Sequence, residues 1–286
     1  MRIEFTPSRE LFPFESRWLE VESGRVHYVD EGSGQAIVMC HGNPTWSFLY
    51  RGIIERLSDR FRCVAVDYPG FGLSDRPESY SYTPSEHAAV VGRLLDHLDL
   101  EDFILMGQDW GGPIGLSVAA DRAERVAGLV CMNTWYWAAD RFAMKAFARV
   151  MSSGPMQRRI LEKNMFVERF VPAGTSRDLS VEEMEHYRAV QPSPAARVGV
   201  AAFPRQILGA GPWLAELADR VPAALGAKRV TLIWGRRDRA FGARKVLDRW
   251  RGDFPAAHVS ELAEANHFIQ EDAPGEIAET VLSRFG

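Results

Sequence analysis

The sequence has few cysteines, no long apolar run and no block of one charge, and each shortage removes a class of protein. Three cysteines, Cys40, Cys63 and Cys131, occur in 286 residues. Each sits in an apolar run that reads as a strand, and an odd number in such positions argues for free thiols in a reducing compartment. No C-x-x-C pair and no Cys/His cluster has metal-ligand spacing, so no metal is expected. The opening MRIEFTPSRELFPFES carries charges and prolines where a signal peptide needs an apolar core. No later stretch approaches the ~18 uninterrupted apolar residues of a membrane-spanning helix. The formal charge is −4, with both signs interspersed, which offers nothing to a nucleic-acid backbone or an anionic lipid surface. Repeats and low-complexity segments are also missing. The expectation is a cytoplasmic enzyme without nucleic-acid or membrane partners.

What is present is an alternation. Arg17 to Glu22 and Arg25 to Val29 flank Ser23-Gly24 and read as a hairpin. Apolar runs follow at Ala36 to Cys40, Phe61 to Val66, Phe103 to Met106, Val126 to Met132, Arg229 to Trp234 and Ala257 to Leu262. They are continuous and rich in Val, Ile and Leu, as in strands covered on both faces. Segments such as Thr83 to Leu98 and Pro113 to Ala120 between them read as helices. Strand, helix, strand order predicts an α/β fold with a mostly parallel, doubly wound sheet. From Trp135 to Trp213 the alternation stops, with helical patterns at Arg141 to Met151 and Val181 to Val190 and no strand. The predicted organisation is a main domain of residues 1–134 and 214–286 interrupted by a helical, aromatic-rich cap of residues 135–213.

In open α/β sheets functional groups gather beyond the carboxyl ends of strands. Asn43, Asp67, Asp109, Asn133, Asp238 and His267 all follow predicted strands. Asp109 lies in GQDWGG, where nucleophile-elbow hydrolases carry the serine of G-x-S-x-G. No G-x-S-x-G competes: Gly115-Leu-Ser117-Val-Ala119 lacks the second glycine. A carboxylate attacking a carbonyl leaves a reactive anhydride, whereas one attacking saturated carbon leaves an alkyl ester that water can hydrolyse. Displacement at sp3 carbon is the chemistry this turn suits. Asp109, Asp238 and His267 also follow the chain order nucleophile, acid, histidine.

HGNPTWSFLYR at 41–51, DYPGFGLSDRP at 67–77, GQDWGG at 107–112 and EANHFIQED at 264–272 together resemble the haloalkane dehalogenases of the α/β-hydrolase superfamily. The resemblance runs from about Arg17 to the C-terminus and is weakest in the cap. It implies a cofactor-free hydrolase that turns a haloalkane and water into an alcohol and halide through an alkyl ester on Asp109. By the same resemblance His267 is the base that activates water. The Trp110 indole and the Asn43 amide hold the leaving halide, and their backbone N–H groups form the oxyanion hole. One part of the family carries its acid before the cap, where this chain has Asn133. Asp238, after the cap, matches the alternative position and is preferred to Glu261 and Glu264.

Phe203, Pro204 and Ile207 resemble the family's pocket-lining segment, and Trp135 and Phe166 are further pocket candidates. Ordinary core packing is the bland reading of all five. His41 is expected to shape its loop, and Asp67 and Asp75 to serve turns. Two competing functions are an epoxide hydrolase, with Tyr136 and Tyr187 as ring-opening acids, and a ligand-binding or luciferase-like protein on the same scaffold.

Overall fold

The computed structural model describes residues 1–22 and 24–286. Ser23, in the predicted hairpin turn, lies outside the described residues. Among these, strands β1 (Arg17–Val21), β2 (Gly24–Glu31), β3 (Gln35–Cys40), β4 (Phe61–Val66), β5 (Phe103–Asp109), β6 (Val126–Thr134), β7 (Arg229–Gly235) and β8 (His258–Leu262) form one sheet. Their order is β1-β2-β4-β3-β5-β6-β7-β8. Strand β2 is antiparallel to both neighbours and every other pair is parallel.

The continuous apolar runs split their side chains between two cores, one on each face of the sheet. Val38 and Cys40 of β3 and Leu105 of β5 face a core built with α2 (Pro84–His97) and α3 (Gly111–Asp121). Ile37, Met39, Ile104 and Met106 face the opposite core, built with α1 (Arg51–Leu57). Burial of each such side chain contributes about 1.5–3 kcal/mol, so the sheet is held from both sides as a doubly wound fold requires. Helix α2 starts where the sequence directs it. Thr83 and Glu86 form a reciprocal capping box and Pro84 occupies the first turn, where its missing N–H costs nothing.

Between β6 and β7 the described chain contains helices and no strand. They are α4 (Phe142–Met151), α5 (Gly154–Lys163), α6 (Val171–Ala173), α7 (Val181–Ala189), α8 (Val198–Gly209) and α9 (Gly211–Leu225). Helix α8 packs on α4 and α5, while α9 packs on α3 of the sheet layer. Gln157 stitches α5 to α8 through the Ala201 carbonyl at 3.0 Å. The remaining helices, α10 (Arg244–Asp253), α11 (Ile269–Asp272) and α12 (Pro274–Phe285), complete the two outer layers. Among the described residues no helix is long and apolar enough to cross a membrane.

Candidate active site

After β3 the chain builds β4 on one side, and it later returns to build β5 on the other side of β3. That reversal leaves a crevice at the strands' carboxyl ends, where Cys40 pairs with Gly107. The loop of His41, Gly42 and Asn43 therefore meets the end of β5. Asp109 closes β5 with φ of 51°, a left-handed conformation that non-glycine residues rarely adopt and that marks a strained turn. The turn is possible because its neighbours are small. A Cβ on Gly42 would crowd the Asp109 carboxyl, and one on Gly112 would fall on the Thr134 hydroxyl. That hydroxyl donates to the Asp109 carbonyl oxygen at 2.6 Å.

The Asp109 carboxyl is directed by backbone and imidazole. Its Oδ1 accepts the Asn43 backbone N–H at 3.0 Å, and its Oδ2 lies 3.8 Å from His267 Nε2. Burial pushes the carboxyl above the ordinary aspartate pKa; the His267 charge and the backbone N–H groups of Asn43 and Trp110 offset this only in part.

His267 donates from Nδ1 to Asp238 Oδ2 at 2.9 Å. Its ring stacks on Phe241 and meets the edge of Phe268. Burial would lower its pKa, but the charge and hydrogen bond of Asp238 and the charge of Asp109 outweigh it and push the imidazole up to about 9. Asp238 is buried as well. Its carboxyl is nonetheless held below the ordinary value, because the His267 charge and bonds from His267, Asn133 and the Ala240 N–H overcome desolvation.

Asn133 does more than the sequence suggested. Its Oδ1 accepts from the Gly235 N–H at 2.6 Å, and its Nδ2 donates to Asp238 Oδ2 at 2.7 Å. Since a carboxylate only accepts and an N–H only donates, the amide orientation is fixed. The position that lacks the acid thus orients the acid that follows the next strand. Glu261 and Glu264 are engaged elsewhere, with Arg236 and Arg251 in one case and Arg237 in the other.

The Trp110 ring lies between Trp135, at 4.8 Å, and Phe203, at 5.1 Å. Two of the five pocket candidates therefore touch it. Pro204 and Ile207 are buried on the same helix as Phe203, whereas Phe166 stacks on Phe170 and has no aromatic contact with Trp110. The Asn43 side chain donates from Nδ2 to the Val200 carbonyl of α8 at 3.3 Å, and its Oδ1 has no partner.

The bland readings hold for the loop residues. Asp67 accepts from the backbone N–H groups of Ser47 and Leu73 and pairs with His27 at 2.8 Å. Asp75 accepts the Arg25 N–H. Burial pushes His41 down to about 4, so it stays neutral, bonded to the Gly42 carbonyl and stacked on Tyr68. The hydroxyls of Tyr136 and Tyr187 are spent on the carboxylates of Asp253 and Glu271, which removes the acids an epoxide hydrolase would need. Gln108, Thr134 and Phe241 also shape the site, and of these only Gln108 carried a signal, through its place in GQDWGG.

Comparison with known proteins places the fold and the family. The α/β-hydrolase fold family matches residues 35–274. Haloalkane dehalogenase 2 of Mycobacterium tuberculosis is 58% identical over the whole of both chains. A cis-3-alkyl-4-alkyloxetan-2-one decarboxylase of Shewanella oneidensis is 35% identical over 93% of this chain and 87% of its own. Among solved structures, haloalkane dehalogenase DbeA of Bradyrhizobium elkani superposes with a TM-score of 0.86 at 27% identity, covering 94% of this chain and 97% of that one. Identity at that level along the full length, on the same fold, establishes the family: the chain belongs to the haloalkane dehalogenases, within the α/β hydrolases.

Proposed function

We propose that this chain hydrolyses the carbon–halogen bond of a haloalkane through a covalent ester on Asp109. The observation that carries this reading is the chain of contacts from Asp238 through His267 to the Asp109 carboxyl. Asp109 Oδ2, the oxygen nearer His267 Nε2, attacks the carbon opposite the halogen, and the halide leaves with the bonding pair. The Trp110 indole N–H and the Asn43 amide stabilise its charge. For this Asn43 Nδ2 gives up its long bond to Val200. Water then loses a proton to His267 Nε2 and attacks the ester carbonyl carbon. The oxyanion forms on the oxygen already bonded to the Asn43 N–H, with the Trp110 N–H beside it. Collapse expels the alkoxide, which takes the proton of the new carboxylic acid, and His267 is left as the imidazolium of the resting site.

The first step prepares the second. In the resting site two carboxylates hold the proton on His267. Alkylation makes Asp109 neutral and removes one of them, so the imidazolium gives its proton to solvent more readily and the neutral imidazole is present when a base is required. The substrate partners are a small apolar haloalkane and water, and no cofactor has a role in these steps. Residues 135–213 act as a cap over residues 1–134 and 214–286, a division supported by the Val200 carbonyl on Asn43 and Phe203 on Trp110. A cytoplasmic setting is supported by the three buried free thiols.

The decarboxylase relative favours a second reading. An oxetan-2-one also has a saturated ring carbon with a carboxylate leaving group, which Asp109 could displace. A panel of chloro-, bromo- and iodoalkanes, epoxides and a cis-3,4-dialkyloxetan-2-one separates the readings. Halide release is expected. Carbon dioxide from the lactone with no halide release from any haloalkane would overturn the first. A single turnover in heavy-oxygen water should give unlabelled alcohol and labelled Asp109.

A further inference from the structure

Resting on the proposed roles of Asp109 and His267, we propose that Gln108 is a positioning residue that holds His267 with its Nε2 lone pair ready for the hydrolytic water. Gln108 stands one residue before the nucleophile at the end of β5 and is completely buried. Its Nε2 is 3.0 Å from the His267 carbonyl oxygen and 3.3 Å from His267 Nε2. The first contact fixes the amide, because a carbonyl oxygen accepts only a hydrogen and would repel the amide oxygen. The second hydrogen of the same NH2 group is then available to the imidazole. At that position it meets a lone pair favourably and an N–H unfavourably.

The two ring nitrogens are thereby sorted. Nδ1–H is taken by Asp238, and Nε2 is left as the acceptor, the tautomer a general base needs. Every group facing the ring fits one side of a balance. Asp238 and Asp109 favour the imidazolium, Phe241 and Phe268 cover its face and edge, and Gln108 alone presents a donor to Nε2. Among the described residues His267 is the only cation paired with either aspartate. Once Asp109 is alkylated, the Gln108 donor acts against the single charge of Asp238, and the proton is released from the ring more readily. Among the described residues Gln108 Oε1 is buried without a protein partner.

The test separates the two chemical steps in Gln108→Leu, which removes the donor, and Gln108→Glu, which replaces it with an acceptor of the same size. Alkylation is read from the burst of halide and ester hydrolysis from decay of the Asp109 adduct, each across pH. In Gln108→Leu the burst should stay within about threefold of wild type. Hydrolysis should fall by roughly 10², the low end of what a general base contributes, and its acid limb should move to higher pH. Gln108→Glu should move that limb further. Equal loss in both steps, or an unmoved acid limb in both variants, would overturn the proposal. Should the leucine variant fail to fold, the glutamate variant decides by the same readout. If wild type forms no Asp109 adduct, the underlying mechanism has failed; if it does and the limb stays put, only the role of Gln108 has.

Discussion

In the proposed mechanism Asn43 serves two steps with different atoms, and the atoms can be tested apart. Its backbone N–H already holds Asp109 Oδ1, while its side chain is tied to α8. Asn43→Ala removes the amide and leaves the backbone N–H, so halide release should slow by roughly 10² to 10³ while decay of the ester is little changed. Equal slowing of both steps would place the damage in the loop instead. Asp238 and Asn133 form a second separable pair. Asp238→Asn should slow ester hydrolysis by up to roughly 10⁴ and spare alkylation, which uses no base. Asn133→Ala should slow the same step by less, because Asp238 keeps its bond from the Ala240 N–H at 2.6 Å. Adding Asn133→Glu to Asp238→Asn returns a charge near the imidazole and should recover part of the rate. No gain would show that the two positions are not interchangeable. Motif and chain order pointed to Asp109, His267 and Asp238, and the structure brings these three side chains together. The bond from Asn133 to Asp238 was not legible in the sequence, since it joins residues 105 positions apart and depends on how β6 and β7 lie side by side.

At the scale of elements, strands were read well because each is a short apolar run bounded by turn residues, and β4 matches its predicted limits, Phe61–Val66. Strand β5 was read three residues short, since Gly107, Gln108 and Asp109 are not apolar and belong to the strand through pairing, Gly107 with β3 and β6 and the other two with β6. The missing part is the part that presents the nucleophile. Its junction with α3 makes a stability prediction. A methyl group at Gly112 would fall on the hydroxyl that holds the Asp109 carbonyl, whereas one at Gly154, the first residue of α5, meets nothing within 4 Å. Gly112→Ala should therefore lower unfolding stability by about 1–3 kcal/mol and impair alkylation. Gly154→Ala should be neutral or stabilising by up to about 1 kcal/mol, through a less flexible unfolded chain. Urea unfolding measures both. Equal effects would mean that the elbow relaxes around the methyl group.

For the whole molecule, the active-site groups add their own dependence of stability on pH. His267 is raised from 6.5 to about 9 on folding, so its stabilising contribution is complete below pH 6.5, declines as pH rises and is gone above about 9. The shift corresponds to an effect on the order of 3 kcal/mol. Asp238 has the opposite dependence: its lowered pKa stabilises the fold above the ordinary carboxylate range and the benefit is lost on acidification. Asp109, raised by burial, costs stability when ionised and recovers it in acid. Of these three groups, the two aspartates oppose one another on the acid side, and His267 accounts for the change on the alkaline side. Comparing wild type with His267→Phe by urea unfolding at constant ionic strength, the stability gap should be widest near pH 6 and narrow steadily towards pH 9.5. A gap that does not change would mean the fold has no preference for the imidazolium. Asp109→Asn gives the complementary result. It removes one of the two charges that hold the proton, as alkylation does, so the alkaline loss of stability should begin at lower pH than in wild type. If its alkaline profile overlays that of wild type, Asp109 does not influence the imidazole, and alkylation cannot be what readies His267 for the second step.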